Sequence, residues 1–358
     1  MEIEKKLELI KSVGEEIITE EDLKKLLEEK EHPVVYDGFE PSGKLHIAQG
    51  LMRAINTNKL LKAGCKFKFW VADWFAWMNN KMGGDLEKIR KVGEYQIETW
   101  KACGMDTSKV DFIWANEVMA KQDYWKRVVE IGRNSTLNRI LRTTQIMGRT
   151  EKDELSAAQI FYPCMQCSDV FELDVDITNL GMDQRKVNIL AREIAPKLKL
   201  KKPVVVSYHM LMGLTAPAVN IKDPIERKIA MKMSKSKPNT AIFMTDSSED
   251  VAKKIKAAYC PEKISEENPI LEYARYILFE SFKDIKIERD KKFGGDVSYK
   301  SYADLENDFA AGKLHPVDLK NATTFYIDKL LSPVRKHFDA NKKAKGLLEE
   351  VKKFEITR

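Results

Sequence analysis

Residues 33–49 read PVVYDGFEPSGKLHIAQ, and the organisation of the chain follows outward from them. Pro33-Val34-Val35-Tyr36 is a short apolar strand that runs into the turn Gly38-Phe39-Glu40-Pro41-Ser42-Gly43. A helical pattern then extends from about Leu45 to Leu61. Strand, glycine-bracketed turn and helix in immediate succession form the opening of a βαβ unit. Glycines let a backbone approach a ligand, and a helix N-terminus offers unpaired N–H groups to an anion. His46, on the expected first turn, is suited to donate a hydrogen bond to a phosphate. Taken alone, the turn is as readily a structural loop.

The same alternation continues downstream. Apolar strands are predicted at 66–72 (KFKFWVA), 110–115 (VDFIWA), 175–178 and 203–207, with helices at 85–103 and 182–197. Near-continuous apolar strands separated by helices predict a Rossmann-like, doubly wound parallel sheet in an α/β domain. Before it, residues 7–30 read as amphipathic helix with Thr19 as an N-cap. Past Ser236 strands are not expected, and 247–259, 269–282 and 317–331 suit helices. A boundary near residue 245 divides a catalytic domain, 1–245, from a mainly helical one, 246–358. The Lys/Glu-rich stretch Lys342–Lys353 reads as a solvated surface helix or tail, and Thr215–Ala230 as a flexible, charged loop.

The 358 residues are enough for both a full core and a smaller second domain. A composition of 43% hydrophobic and 32% charged residues is that of a soluble globular protein. No stretch approaches the ~20 apolar residues of a membrane span, and the charged N-terminus is unlike a signal peptide, so the cytoplasm is expected. The net charge of +6 permits a polyanionic partner without requiring one. Five scattered cysteines include one C-x-x-C, Cys164 and Cys167, with no second pair at zinc spacing. Reduced, structural thiols are expected. His32, His209 and His337 lack neighbours at catalytic or metal spacing and are taken as structural.

A second informative run is Lys232-Met233-Ser234-Lys235-Ser236, followed by Lys237-Pro238-Asn239. Lysines spaced by small hydroxyl residues suit a loop that grips a polyphosphate, although a surface loop of this composition is common. Its place after the fifth predicted strand, with His46-Ile47 after the first, resembles the class I aminoacyl-tRNA synthetases and their H-I-G-H and K-M-S-K-S signatures. The second is intact. In the first, Ala48 and Gln49 replace glycine and histidine, leaving an uncharged amide donor. The resemblance sharpens to the archaeal and eukaryotic tyrosyl branch through 36–43, Ala72-Asp73, Met182-Asp183-Gln184-Arg185-Lys186, Ala191-Arg192-Glu193, Phe293-Gly294-Gly295-Asp296 and Leu314-His315-Pro316.

Tyr162, Gln166 and Asp169 fall at i, i+4 and i+7 of a helix that Pro163 is expected to open. The residues alone leave this polar face either solvated or lining a pocket. The resemblance implies the pocket: Tyr36 and Asp169 for the phenol of L-tyrosine, and Tyr162, Gln166 and Gln184 for its amino and carboxylate end. It also implies ATP contacts at Gly38, Phe39, Glu40, His46, Lys232, Ser234 and Lys235, with His46, Gln49, Lys232 and Lys235 as the catalytic group. Trp70, Trp74, Phe75 and Trp77 are at most pocket wall. For tRNA(Tyr), the implied contacts are Arg185 and Lys186 at the acceptor end, and Phe293, His315 and Asp318 toward the anticodon. ATP with Mg²⁺ as substrate, no protein-bound metal and a homodimer complete these expectations. Three rivals are weaker: a tryptophanyl enzyme lacks use for Tyr36 with Asp169, a small-product nucleotidyltransferase for the 315–318 run, and a non-catalytic paralogue for an intact K-M-S-K-S.

Overall fold

The structure, a computed structural model, describes residues 1–148, 154–217 and 221–354, with Phe293 described by its backbone only. Its main sheet has six strands: β1 (Glu16–Ile18), β2 (Val34–Phe39), β3 (Lys66–Val71), β4 (Val110–Trp114), β5 (Ile177–Thr178) and β6 (Val204–Ser207). Their order is β1-β6-β5-β2-β3-β4, parallel except for β1, which runs antiparallel along the edge of β6. Counted from β2, the parallel strands follow the doubly wound order 3-2-1-4-5. The order reverses between β2 and β5, and a crevice opens at such a reversal beyond the strands' C-terminal ends. The expected fold class is what the chain adopts. Within this sheet β1 lies outside the expectation, three residues inside a stretch whose spacing reads as helix.

Alternation along the strands sorts side chains to two cores. Val35, Phe39, Phe67 and Phe69 enter one, while Tyr36 and Trp70 enter the other. On the first face Trp100 stacks on Phe69 (ring centroids 4.6 Å apart) and meets Phe39 edge-on at 4.5 Å. Such pairs contribute about 0.5–1.5 kcal/mol each beyond their burial, and here they seat β2 against the helix Leu86–Ala102. That core continues into the C-terminal helices, through Ile270, Phe309, Ile327 and Leu348. The second core lies under the helix Ala157–Glu172, which therefore covers the face bearing Tyr36.

Several local expectations are corrected. The helix predicted from Leu45 begins at Ala48, with a π turn over Ala48–Met52 leading into Arg53–Lys62. The preceding residues bond to a distant segment instead: Ile47 N–H donates to Ile242 O (2.9 Å) and Met244 N–H to Leu45 O (2.9 Å). Pro163 does not open its helix. Ser156 and Gln159 form a reciprocal capping box and start the helix at Ala157, leaving Pro163 inside it. The C-terminal part carries a hairpin, β7 (Ile285–Ile287) with β8 (Val297–Tyr299), where no strand was expected. Helix Lys342–Lys353 is not wholly solvated: Ala344, Leu347, Leu348 and Val351 are buried on the face toward Leu86–Ala102, and Lys91 pairs with Glu350 at 2.7 Å. Within the expected loop Thr215–Ala230, residues 218–220 lie outside the described residues. Asp223 caps a helix, Pro224–Met231, by accepting from the N–H groups of Ile225 and Glu226.

Candidate active site

A cleft of about 690 Å³ opens beyond the C-terminal ends of β2, β5 and β6. Ten of the sequence-derived candidates meet in its walls: Tyr36, Gly38, Phe39, Glu40, His46, Gln49, Tyr162, Gln166, Asp169 and Gln184. Lys232, Ser234 and Lys235 join them from the loop beyond β6, and Trp70 and Phe75 contribute wall. Trp74 and Trp77 do not reach it, and Trp77 is exposed on the surface.

One end is a closed polar pocket. Asp169 is fully buried, and its Oδ1 accepts from the Tyr124 hydroxyl at 2.8 Å. Its Oδ2 has no donor at all. Burial raises the Asp169 carboxyl well above the usual carboxylate range, opposed by the Tyr124 hydrogen bond. A buried acceptor left open costs about 1–3 kcal/mol, so the position is matched to a ligand that brings a hydroxyl. Tyr36, 1% exposed, supplies a second hydroxyl at the same end, its own ionisation suppressed by burial and by Asp169. Nearer the middle, Gln166 Nε2 donates to Gln184 Oε1 (3.0 Å), and Gln184 Nε2 to Ile146 O (3.0 Å). Tyr162 donates to Glu40 Oε1 at 2.6 Å, and Asn79 donates to the same carboxylate. The polar stripe of helix Ala157–Glu172 is thus buried and aimed inward.

The other end is cationic. Lys235 Nζ donates to Ser42 Oγ (3.1 Å) and Lys232 Nζ to Asp183 Oδ2 (2.6 Å). Burial, then repulsion from Lys81, pulls the Lys235 amine down to about 7, with Glu40 opposing. His46 is buried just before the helix, not on its first turn. Burial and the neighbouring Lys235, Lys232 and Arg53 hold its imidazole well below the usual histidine range, so it is neutral. Its Nδ1 accepts from Gln49 N–H at 3.4 Å, which leaves the ring proton on Nε2. Gln49 Oε1 is buried without a partner.

Four residues in or behind the cleft wall escaped the sequence reading: Arg53 and Tyr208 line it, while Asp37 and Tyr124 pair with residues that do. Asp37 and Arg53 form a buried ion pair (3.1 Å), and Arg53 also donates to the Tyr208 hydroxyl. Burial pushes Asp37 up to about 7, with Arg53 opposing. A carboxylate inside an otherwise apolar parallel strand was a legible signal for Asp37. Tyr124 and Tyr208 had none, since their partners stand 45 and 155 residues away. The cysteines are all free; burial pushes Cys164 up to about 11 and Cys167 still higher, so both remain thiols at neutral pH. Among the described residues no cluster of His, Cys, Asp or Glu is arranged to hold a metal, and no helix is long and apolar enough to cross a membrane.

The remaining candidates lie off the cleft. Arg185 is engaged by Glu16 through two hydrogen bonds (3.0 and 2.8 Å), and Lys186 donates to Gln145. His315 caps the helix Pro316–Ala340 through Nδ1, accepting from Val317 N–H. Asp318 sits in that helix's first turn and caps nothing. The side chain of Phe293 lies outside what is described.

Residues 28–332 match the family of class I tRNA synthetases for tryptophan and tyrosine. Over its whole length the chain is 52% identical to tyrosine–tRNA ligase 1, cytoplasmic, of Arabidopsis thaliana, covering 90% of that protein. The chain belongs to the tyrosyl-tRNA synthetases. Among solved members, the Pyrococcus horikoshii tyrosyl-tRNA synthetase complexed with L-tyrosine superposes with a TM-score of 0.91 at 39% identity, over 98% of this chain and 100% of that one. The Leishmania major tyrosyl-tRNA synthetase in complex with tyrosinol gives 0.89 at 45% identity over 98% of this chain, which spans 60% of that longer protein. As a tyrosyl-tRNA synthetase, the chain departs from the H-I-G-H signature only at Ala48 and Gln49, and both still line the cleft.

Proposed function

We propose that this cleft activates L-tyrosine with ATP to tyrosyl-adenylate and pyrophosphate, then transfers the tyrosyl group to the 3′ end of tRNA(Tyr). The reading is carried by one observation: a buried carboxylate with an open acceptor, Asp169, shares a single cleft with the lysines 232 and 235. A phenol binds at the first and a polyphosphate at the second, which places the amino acid's carboxylate between them.

In the first step a carboxylate oxygen of tyrosine attacks the α-phosphorus of ATP. The new O–P bond forms as the bond to the bridging oxygen breaks, and pyrophosphate leaves with that electron pair. The nucleophile is already an anion, so no general base is needed. Catalysis rests on positioning and on stabilising charge that grows on the phosphates. Tyr36 and Asp169 fix the phenol, while Tyr162, Gln166 and Gln184 orient the amino and carboxylate end. Neutral His46 donates from Nε2, and Gln49, Lys232 and Lys235 add donors at the phosphate end, beside Gly38, Phe39, Glu40 and Ser234. Mg²⁺ arrives with ATP as part of that substrate. In the second step the terminal ribose hydroxyl of tRNA attacks the acyl carbon and AMP leaves.

Residues 1–245 would hold this chemistry and 246–358 the anticodon. Support for the latter is the carboxylate of Asp318, free of hydrogen bonds and able to accept from the N–H edge of guanine, on the helix that His315 caps; Phe293 would stack on that base. Arg185 and Lys186 would approach the acceptor end. A cytoplasmic homodimer fits the exposed apolar side chains Val129, Leu137 and Phe161 on mutually packed helices. The test is ATP–pyrophosphate exchange with each of the twenty amino acids, followed by charging of tRNA. Exchange with tyrosine alone, and charging of tRNA(Tyr), is the expected result; exchange with tryptophan, or with none, overturns it.

A further inference from the structure

His209 stands outside the groups used above, on the segment that leaves β6 along the cleft wall. Both ring nitrogens face carboxylates: Nδ1 lies 3.1 Å from Glu15 Oε2 and Nε2 3.1 Å from Glu272 Oε2. The ring stacks on Tyr276, centroids 4.3 Å apart and planes 11° from parallel. An imidazole has one donor and one acceptor, whereas its cation has two donors. Nδ1 is hydrogen-bonded to Glu15, while Nε2 meets Glu272 at ion-pair distance outside hydrogen-bond alignment, so only the cation is attracted to both carboxylates. The other charged groups around it are Lys228, paired with Glu15, and Arg275, over the far partner Tyr276 at 5.2 Å. The two carboxylates outweigh burial and raise His209 to about 9.

The three anchors come from three parts of the chain. Glu15 precedes β1, His209 follows β6, and Glu272 and Tyr276 belong to the C-terminal helices. The segment carrying His209 is also the bed of the lysine loop. Met233 N–H donates to Leu211 O (2.8 Å) and Gly213 N–H to Met231 O (2.9 Å), on either side of Lys232. From the helical part, Glu272 Oε2 also accepts from Met212 N–H (2.9 Å), and the Tyr273 hydroxyl donates to Met212 O (2.9 Å). One face of this strap therefore holds the loop, and the C-terminal helices hold the other.

We propose that His209 is a positioning residue for the Lys232–Lys235 loop, clamping its bed between Glu15 and Glu272 so that the placement of the C-terminal helices sets the reach of the phosphate-gripping lysines. The inference rests on the reading of Lys235 as part of that grip. The phenol of tyrosine would be held by Tyr36 on β2 and Asp169 on helix Ala157–Glu172, neither of which the clamp touches. Its loss therefore acts on turnover and not on tyrosine binding.

The experiment is a double-mutant cycle on ATP–pyrophosphate exchange with His209→Gln, Lys235→Ala and the pair. His209→Gln is expected to lower kcat by about ten-fold, the scale of one charge-assisted hydrogen bond, with the KM for tyrosine unchanged. In the Lys235→Ala background it is expected to add clearly less than in the wild type, since it works through the loop that carries that lysine. Glu272→Gln, which alters the clamp from the helical side, should reproduce the loss, and it carries the test should His209→Gln fail to fold. Wild-type exchange in both clamp variants, a raised KM for tyrosine, or losses that multiply with Lys235→Ala would each overturn the role of His209 alone. Wild-type exchange by Lys235→Ala would instead overturn the phosphate grip itself.

Discussion

On the proposed function, Lys235 is expected to give the cleft a proton-linked affinity for ATP. In the free protein its amine is held near 7, because burial and Lys81 disfavour the cation. A polyphosphate placed against it favours the cation again, so binding above neutrality must take up a proton. At pH 7 about half of the molecules carry the ammonium, and at pH 9, two units higher, about 1% do. The KM for ATP is therefore expected to rise toward ten-fold per pH unit between 7 and 9. His46 cannot mimic this, being neutral throughout. Asp37, pushed up to about 7, acquires its charge in the same window, and Asp37→Asn removes that contribution. The measurement is exchange at saturating tyrosine from pH 6 to 9, with calorimetry in buffers of different ionisation enthalpy. About one proton should be taken up per ATP at pH 8, and none in Lys235→Arg, whose guanidinium never deprotonates. A flat KM for ATP with no proton uptake in the wild type would refute the reasoning. The lowered amine also has a stability sign: between about 7 and 10.5 the unfolded chain binds more protons, so this cost of folding is fully present below 7 and fades as pH rises.

Asp169→Ala with Tyr36→Leu should collapse discrimination against phenylalanine, which in sites that hydrogen-bond a hydroxyl is roughly 10⁴–10⁵, a range for which tyrosyl-tRNA synthetases are themselves the standing example; retained discrimination in competitive exchange would show that neither residue reads the phenol. Gly50→Ala would gain helix propensity, about 1 kcal/mol, but its Cβ would lie 2.2 Å from Sδ of the fully buried Met244. Overpacking of this kind costs about 1–3 kcal/mol and wins, so chemical denaturation should show net destabilisation and Met244→Ala should relieve it. Asp318→Ala should leave adenylate formation intact and weaken charging of tRNA(Tyr) by ~1–3 kcal/mol, the scale of one base contact, with preference for guanine lost in anticodon-substituted transcripts. Unchanged charging and unchanged preference would remove Asp318 from recognition.

The strands of a parallel α/β domain, the glycine turn after β2 and the lysine loop beyond β6 were legible because each is local: strand periodicity, turn chemistry and a contiguous motif need no distant partner, whereas the strand order was set by pairing between distant segments. The tyrosine-binding candidates were legible for a second reason, since Tyr162, Gln166 and Asp169 share one helical face whatever surrounds it. Whether that face met bulk water or lined a pocket was a matter of packing, and only the core that buries Asp169 with one oxygen open decided it. The helix around Pro163 started early because a capping box at Ser156 outweighed the proline's preference for a first turn. His46 was drawn off its expected helix by an isolated antiparallel bridge to Phe243, almost 200 residues later. Glu15, His209 and Glu272 could not have been connected from the sequence, because only the pairing of β1 with β6 and the docking of the C-terminal helices bring the two carboxylates to within 3.1 Å of His209. Local preferences are written in neighbouring residues, while pKa values, buried acceptors and ion pairs depend on which distant surfaces exclude water from one another.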